Sequence, residues 1–537
     1  MAAGTCDNPA PAMTATTQDE AAASAAQDDP PEVERVTLRG IATVFCATMC
    51  TAMFAFTWNS VSVALPYMKG TFSATTDQIA WVIIAYVIGA SMVTGCVGWL
   101  SARFGRKQLF IFSIIGFIIT LVGCGMATSL WEEVFWRFAQ GVVAAPMVPI
   151  GQSIAVSAFP RDRHGQAISL WALGFVSANV IAPVLGGILI EDWGWQWIFF
   201  FSIPAGVIGL IMSWFLVPWT PPEKKPMEWL GFLSLVIGVG ALQLMLARGE
   251  RLDWFSSGEI IIETVIALGA LYIFVVHTIT GKNTFIDGSL FRNRNFAMGQ
   301  TFIFFIGAVM FLPLILLPLL LQQIGGYPAL ETGYLMLPRG LGSICGLTLM
   351  AYLRDRVDPR PLLFIGILGI AWPAWDMGHW TTEVRPWDVS YTTFIQGVAA
   401  GFIWAPLNTL TLSRLHQRVQ DQGFALFYLI FDVGSAIGIA AVIGLQTRYS
   451  QINHSELNEF VSPFNELLRY PHFTNAWDTG SVTGLAALQG EIGRQASMIG
   501  YNNAFMTIAV VMAVLLPFVF CFRHPTYYDR KSETPEA

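Results

Sequence analysis

Residues Trp171 to Ile190 read WALGFVSANVIAPVLGGILI. The stretch carries no charge and is long enough, as a helix, to cross about 30 Å of hydrocarbon. At a spacing of four it lines up Gly174, Ala178, Ala182 and Gly186 on one helical face. A second stripe, Phe175, Asn179, Pro183 and Gly187, runs beside it. In lipid no water-driven force brings helices together, and small residues that let backbones approach take over that role. This is a membrane helix shaped to lie against another helix, with an Asn and a Pro at the contact.

The same signal recurs along the chain. Its 537 residues are 54% hydrophobic and only 12% charged, with mean hydropathy +0.56. Soluble domains carry about twice that charge. Apolar segments run near 39–63, 77–100, 108–127, 132–158, 166–190, 196–218, 228–247, 259–280, 296–321, 331–353, 361–380, 388–412, 422–446 and 501–522. The reading is an all-α polytopic membrane protein with 14 spans. The net charge of −7 says little, because charge is sorted by membrane side. The 7 cysteines show no CxxC spacing, so neither a disulfide framework nor a metal site is indicated. The first 35 residues lack the basic start and apolar core of a signal peptide and read as a disordered tail.

The loops test the count of spans. With the N-terminus inside, RFGRK (103–107), PRDRHG (160–165), PEKKP (222–226), LRDRVDPR (353–360) and SRLHQR (413–418) all fall inside. So do about two thirds of the 29 Lys and Arg, whereas no short outside loop holds such a cluster. That is the positive-inside bias, and it puts both termini in the cytoplasm. One outside segment, about 447–500, is long and polar. Its part from Leu485 to Ile499 suits a short amphipathic helix. The segment reads as a cap over the outer mouth or as a docking surface for a periplasmic partner.

The chain is also internally doubled. LSARFGRKQLF from Leu100 pairs with LRDRVDPRPLL from Leu353, and Arg103 matches Arg356. QGVVAA from Gln140 pairs with QGVAAG from Gln396, about 256 residues later, and each helix then runs through a Pro. The expected plan is a disordered cytoplasmic tail (1–37), a six-helix bundle (38–218), two spacer helices (219–281), a second six-helix bundle (282–523) that includes the outer segment, and a cytoplasmic tail (524–537). Parallel repeats of six about an axis along the membrane normal are the plan of major facilitator transporters.

Several motifs carry a resemblance to that superfamily. GWLSARFGRK, with Gly98, Arg103, Gly105 and Arg106, resembles its loop between helices 2 and 3. RFAQGVVAAP resembles its helix-4 motif, and APVLGG (182–187) its helix-5 antiporter motif. AWVIIAY, SVALP, WGWQWIFFFSIPAG, LARGERLDWFSS and LFRNRNFAMG are similar to the fourteen-helix drug:proton antiporters of the EmrB/QacA type, most of all to EmrB-type inner-membrane subunits of tripartite pumps. The resemblance spans roughly 38–525. It implies proton-coupled efflux of amphipathic drugs across the inner membrane, with the proton gradient as energy source and no cofactor. It also implies a periplasmic adaptor and an outer-membrane channel as partners. Four positions depart from the pattern. Thr57 replaces a helix-1 Asp, Ala102 replaces the loop Asp that the second half keeps as Asp355, Ala182 replaces the Gly of the antiporter motif, and Ser202 replaces an Asn.

Charges at bilayer depth cost at least about 2.5–3.5 kcal/mol, so each needs a reason. Three stand out: Arg137, Arg339 and Asp432. Arg137, Gln140, Gly141 and Ala144 share one face of helix 4. The resemblance makes Arg137 part of the transport machinery, against a structural role on carbonyls of helix 1. Arg339 follows Pro338, which frees a carbonyl that an Arg can satisfy. Asp432, with Gly434 and Gly438 after it, points to a cavity or a cation. It is the first candidate for proton coupling, with Arg137 and Arg339 beside it and Asp77 and Asp376 next. Asp77, Glu132, Glu259, Asp376, Asp388 and His277 lie near helix ends, where interfacial solvation accounts for them. Trp58, Asn59, Tyr86, Gln140, Gln152, Asn179, Gln300, Trp404 and Asn408 are candidates for a substrate cavity of aromatic and uncharged polar groups, which suits amphipathic compounds.

No GxxxxGK[ST] loop, Gly-x-Ser-x-Gly or His-Glu-x-x-His motif is present, so neither nucleotide-driven transport nor an intramembrane hydrolase is supported, and nucleic acid has no role. Three functions stay open: a proton-driven drug exporter, a carrier for one metabolite, peptide or siderophore, and a non-transporting sensor or scaffold.

Overall fold

The computed structural model describes residues 37–160, 163–222, 228–281, 288–353, 356–412, 415, 417–461, 477 and 481–523. Asp355, the C-terminal tail, all of the N-terminal tail but Thr37, and much of the tip of the outer segment lie outside the described residues. Among the described residues every regular element is helical. The long ones are α1 (Leu38–Thr71), α2 (Trp81–Thr94 with Val97–Phe104), α3 (Arg106–Met126), α4 (Leu130–Ala144 with Met147–Ser157), α5 (His164–Trp193), α6 (Trp197–Leu216) and α7 (Trp229–Arg248). They continue as α8 (Gly258–Thr280), α9 (Arg294–Met310 with Leu312–Gln323), α10 (Ala329–Leu353), α11 (Pro359–Met377), α12 (Pro386–Leu412), α13 (Gln417–Glu459) and α14 (Val482–Leu515).

Ten of these are long and apolar enough to cross a membrane, or 11 with α2, whose two pieces bend by 59°. α10, α11 and α12 fall short of that apolarity. They carry Arg339, Asp376, several Pro and Trp, and in α12 a run of Thr, Gln and Asn. The breaks have local causes. Pro146 interrupts α4 because it has no N–H to give the ladder, and Pro313 follows the break in α9. Gly105 closes α2 at φ +87°, a conformation that favours glycine, and a Cβ there would stand 2.6 Å from the Thr220 carbonyl oxygen.

The packed interior forms two principal cores. Phe110, Phe117, Trp171 and Phe199, from α3, α5 and α6, lie in the first. Phe302, Phe427 and Phe505, from α9, α13 and α14, lie in the second. The doubled sequence does the same work in both. Gly141 of α4 lies on the α2 backbone at Tyr86, and Gly397 of α12 lies on the α10 backbone at Arg339, each where a Cβ would clash. α7 sits over the seam, with Leu235 and Val239 among Cys96, Phe296, Phe424 and Leu429. α8 leans on α7 and exposes Ile262, Val265, Leu268 and Tyr272, a face that suits lipid. Arg248 ties the pair at one end, to Glu263 at 2.8 Å and to Glu259, and His277 meets Glu228 at 2.7 Å at the other. Glu259 and His277 are therefore paired rather than merely solvated.

The outer segment differs from expectation. α13 does not stop near 446 but continues to Glu459, about 20 Å further. The stretch read as a separate amphipathic helix is the beginning of α14, continuous with the last span. The two extensions lie side by side, with Gln489 Nε2 2.8 Å from His454 Nε2.

Candidate functional site

The small-residue stripe of α5 packs on α1. A Cβ on Gly174 would overlap Thr48, and one on Gly186 would stand 3.0 Å from Ser60. Ser60 donates to the Ala182 carbonyl at 3.0 Å, and Asn59 donates to Asn179 at 2.6 Å. Gly187 has open space and Pro183 is exposed. Ala178 is partly buried on the same helix. The stripe thus joins two helices that share the first core. The close approach between the two cores runs the other way: Gly340 of α10 admits Val180 of α5.

Further contacts across the seam cluster at the end of the bundle that carries the basic loops. Gly98 of α2 abuts Gln422 of α13, where a Cβ would be 2.6 Å from Cγ, and Gly95 abuts Leu429. Gln152 of α4 is fully buried and makes two bonds across the seam. Its Nε2 donates to Asn408 Oδ1 of α12 at 3.2 Å, and its Oε1 accepts from the Tyr428 hydroxyl of α13 at 2.7 Å. Asn408 also donates to the Trp404 carbonyl at 2.9 Å. The Trp404 ring lies 5.8 Å from Tyr428 and 5.5 Å from Phe431. Three candidates from the sequence, Gln152, Trp404 and Asn408, therefore meet in one cluster, completed by Tyr428, which the sequence reading passed over.

Asp432 follows Tyr428 by one turn of α13 and is partly exposed. The glycines after it hold α13 against α9, where a Cβ on Gly434 or Gly438 would strike the Phe304 or Ala308 carbonyl. The Tyr428 hydroxyl, one turn back on the same face of α13, crosses the seam to Gln152, which puts Asp432 on the seam side of its helix. Among the described residues no hydrogen bond or ion pair holds it to Arg137 or Arg339. Tyr86 is buried against Trp58, with ring centroids 5.2 Å apart.

The two arginines have different surroundings. Arg137 is fully buried. It donates from Nε to the Val82 carbonyl of α2 at 3.3 Å and from Nη1 to Gln140, and its guanidinium lies 4.3 Å from the Tyr86 ring centre. The carbonyl is on α2, whereas the alternative structural role places it on helix 1. Arg339 donates to Gln396 at 2.8 Å and to the Met310 carbonyl at 3.0 Å, at the break in α9 that frees that carbonyl. Gln140 and Gln396, the paired glutamines of the repeat, each accept from an arginine.

Other candidates lie apart from the seam. Asp376 accepts from the Tyr391 hydroxyl and, at 3.4 Å, from Trp380. Asp77 belongs to a four-residue turn, Thr76–Ile79, before α2. Arg103 is exposed, Arg106 is partly exposed, and Arg356 donates to the Tyr352 hydroxyl at 2.6 Å. Gln300 is buried, and neither end of its amide has a hydrogen-bond partner among the described residues.

Sequence reasoning missed Glu133. It is fully buried in the first turn of α4, one turn before Arg137, and among the described residues neither carboxylate oxygen meets the geometry of a hydrogen bond, with the Cys124 thiol beside it. The signal was available: Glu133, Arg137, Gln140, Gly141 and Ala144 are all buried along one helix.

Two helical cores that meet through a polar seam under a crossing pair of helices define a membrane carrier. A family profile for the Major Facilitator Superfamily matches residues 47–439. The multidrug export protein EmrB of Haemophilus influenzae is 31% identical, the match covering 89% of this chain and 94% of that protein. The fatty acid resistance protein FarB of Neisseria gonorrhoeae is 30% identical, over 86% and 92%. EmrB of Escherichia coli K12 is 30% identical, over 89% and 94%. Among solved structures, the human organic anion transporter MFSD10 superposes with TM-score 0.55 at 12% identity, over 90% of this chain and 100% of that one. The proton:xylose symporter XylE superposes with TM-score 0.55 at 16% identity, over 90% and 97%. These two speak for the fold alone. The chain belongs to the major facilitator superfamily and, within it, to the EmrB type.

Proposed function

We propose that the protein exports amphipathic organic compounds across the cytoplasmic, or inner, membrane in exchange for protons. Its relatives are named for multidrug export and for fatty acid resistance. The observation that carries the reading is the seam, where a partly exposed carboxylate, Asp432, sits beside aromatic and uncharged polar groups. An acid can gain and lose a proton there, while aromatic walls accept apolar bodies without a fixed hydrogen-bond pattern.

The mechanism is alternating access between two halves of six spans, 38–218 and 282–523, flanking two spacer spans, 219–281. That makes 14 spans with both termini cytoplasmic. It is supported by the basic loops at one end and by the matched Gly141 and Gly397 contacts. With the basic end inside, the Gly98, Gly95 and Gln152 contacts close the cytoplasmic mouth. The α13–α14 extension then projects into the periplasm and offers a helical surface for an adaptor protein that leads to an outer-membrane channel.

Growth inhibition across a panel of amphipathic compounds, with and without the gene, tests the function. Resistance to several chemically unrelated compounds is expected. Protection against none, together with uptake or release of a single metabolite, would assign it to a dedicated carrier instead.

A further inference from the structure

Glu133 is fully buried, and among the described residues neither of its oxygens meets the geometry of a hydrogen bond, with only the weak thiol donor of Cys124 beside it. Few carboxylates in a protein interior are left so, because an ionised one without compensation costs several kcal/mol. A proton removes that cost. The groups around it are few. The Cys124 thiol stands by it from α3, and Arg137 and the half-buried Glu132 lie near it on its own helix. From α2, Tyr86 lies over the Arg137 guanidinium, and its hydroxyl has no hydrogen-bond partner among the described residues. Among the described residues Arg137 keeps one arm free: Nη2 has no hydrogen-bond partner, while Nε is held by Val82 and Nη1 by Gln140. Residues i and i+4 are neighbours on a helix, so a change of rotamer brings that arm to the carboxylate with no backbone motion.

We propose that Glu133 is a second proton-binding site, in the first half of the molecule, switched by Arg137. In the conformation seen here Glu133 holds a proton as the neutral acid. When Arg137 turns its free arm to the carboxyl group, the O–H bond breaks, the proton leaves to water, and the carboxylate is held as an ion pair. The switch is tied to the seam. Arg137 is anchored to α2, and α2 makes the Gly95 and Gly98 contacts with α13. Separation of the halves therefore moves the helix that holds Arg137. Among the described residues of the first half, Glu133 is the acid that is fully buried. The inference rests on the proton coupling proposed above.

Infrared spectra of the purified full chain in lipid, titrated from acid to alkaline pH, report protonated carboxyl groups directly and need no substrate. The wild type should show a protonated-carboxyl band at neutral pH that is absent from Glu133→Gln, and Asp432→Asn should remove a different one. Glu133→Gln is isosteric with the neutral acid, so its melting temperature should match the wild type. Spectra of wild type and Glu133→Gln that coincide at every pH, or a variant that melts well below the wild type as a broken ion pair would, overturn the proposal. In proteoliposomes loaded with a compound chosen by the growth panel, Glu133→Gln should keep substrate exchange and lose pH-gradient-driven accumulation, and Glu133→Asp should recover part of it. Wild-type accumulation and pH profile in Glu133→Gln would also overturn it. If the wild type itself shows no gradient-driven movement, the proposed function fails, while the infrared comparison still decides the protonation of Glu133.

Discussion

Tyr428→Phe should open the mouth at the basic end. The hydroxyl gives one of the two bonds that Gln152 makes across the seam. Without it, a fully buried amide oxygen is left unpaired in this conformation. An unpaired buried acceptor costs about 1–3 kcal/mol. Once the halves part, water can reach the amide, so the penalty falls on one conformation only. A differential of about 1–3 kcal/mol moves a two-state population roughly 5- to 150-fold. Gln152→Leu with Tyr428→Phe should give no rescue, because the buried Asn408 Oδ1 then loses its donor in turn. Pulsed electron–electron spectroscopy between spin labels at the exposed Gln108 and Val357, one in each half, reads the populations. The longer-distance population should grow in Tyr428→Phe and stay raised in the double variant. If Tyr428→Phe leaves the distance distribution unchanged, the bond does not hold the halves together.

Gly174→Leu forces a side chain into Thr48 of α1 and should lower the melting temperature through overpacking, about 1–3 kcal/mol, without shifting the spin-label distances. Gly340→Leu presses on Val180 across the seam and should do the reverse, with a changed distance distribution and a nearly unchanged melt. Shortening the outer parts of α13 and α14, within residues 447–500, should leave transport in proteoliposomes intact and abolish resistance in cells. Full resistance in cells would remove the adaptor surface.

The membrane class and the doubling were legible because both are written in composition and local spacing. Trp171 to Ile190 announces a helix with a small face, and the paired QGV motifs announce equal contacts in the two halves. What spacing does not give is the partner. The α5 face fits any close helix, and only the fold shows that it meets Thr48 and Ser60 of α1 while Gly340 serves the seam. Gln152 and Asn408 were each legible as polar residues in apolar helices. Their bond joins positions 256 residues apart, and no local pattern encodes it. Glu133 was hidden by its place in a first helical turn, where an acid normally meets water and favours the helix dipole. The extension of α13 escaped because hydropathy ends near 446 while the helix, out of the membrane, continues with polar residues.

The central claim is that a proton gradient drives export through the acid at the seam. Purified wild type and Asp432→Asn in proteoliposomes, with an imposed pH gradient and a compound selected by the growth panel, test it most directly. The wild type should concentrate the compound against its gradient, while Asp432→Asn should still bind it and exchange it, insensitive to pH, without concentrating it. Accumulation by Asp432→Asn at the wild-type level and with the wild-type pH dependence would contradict the account.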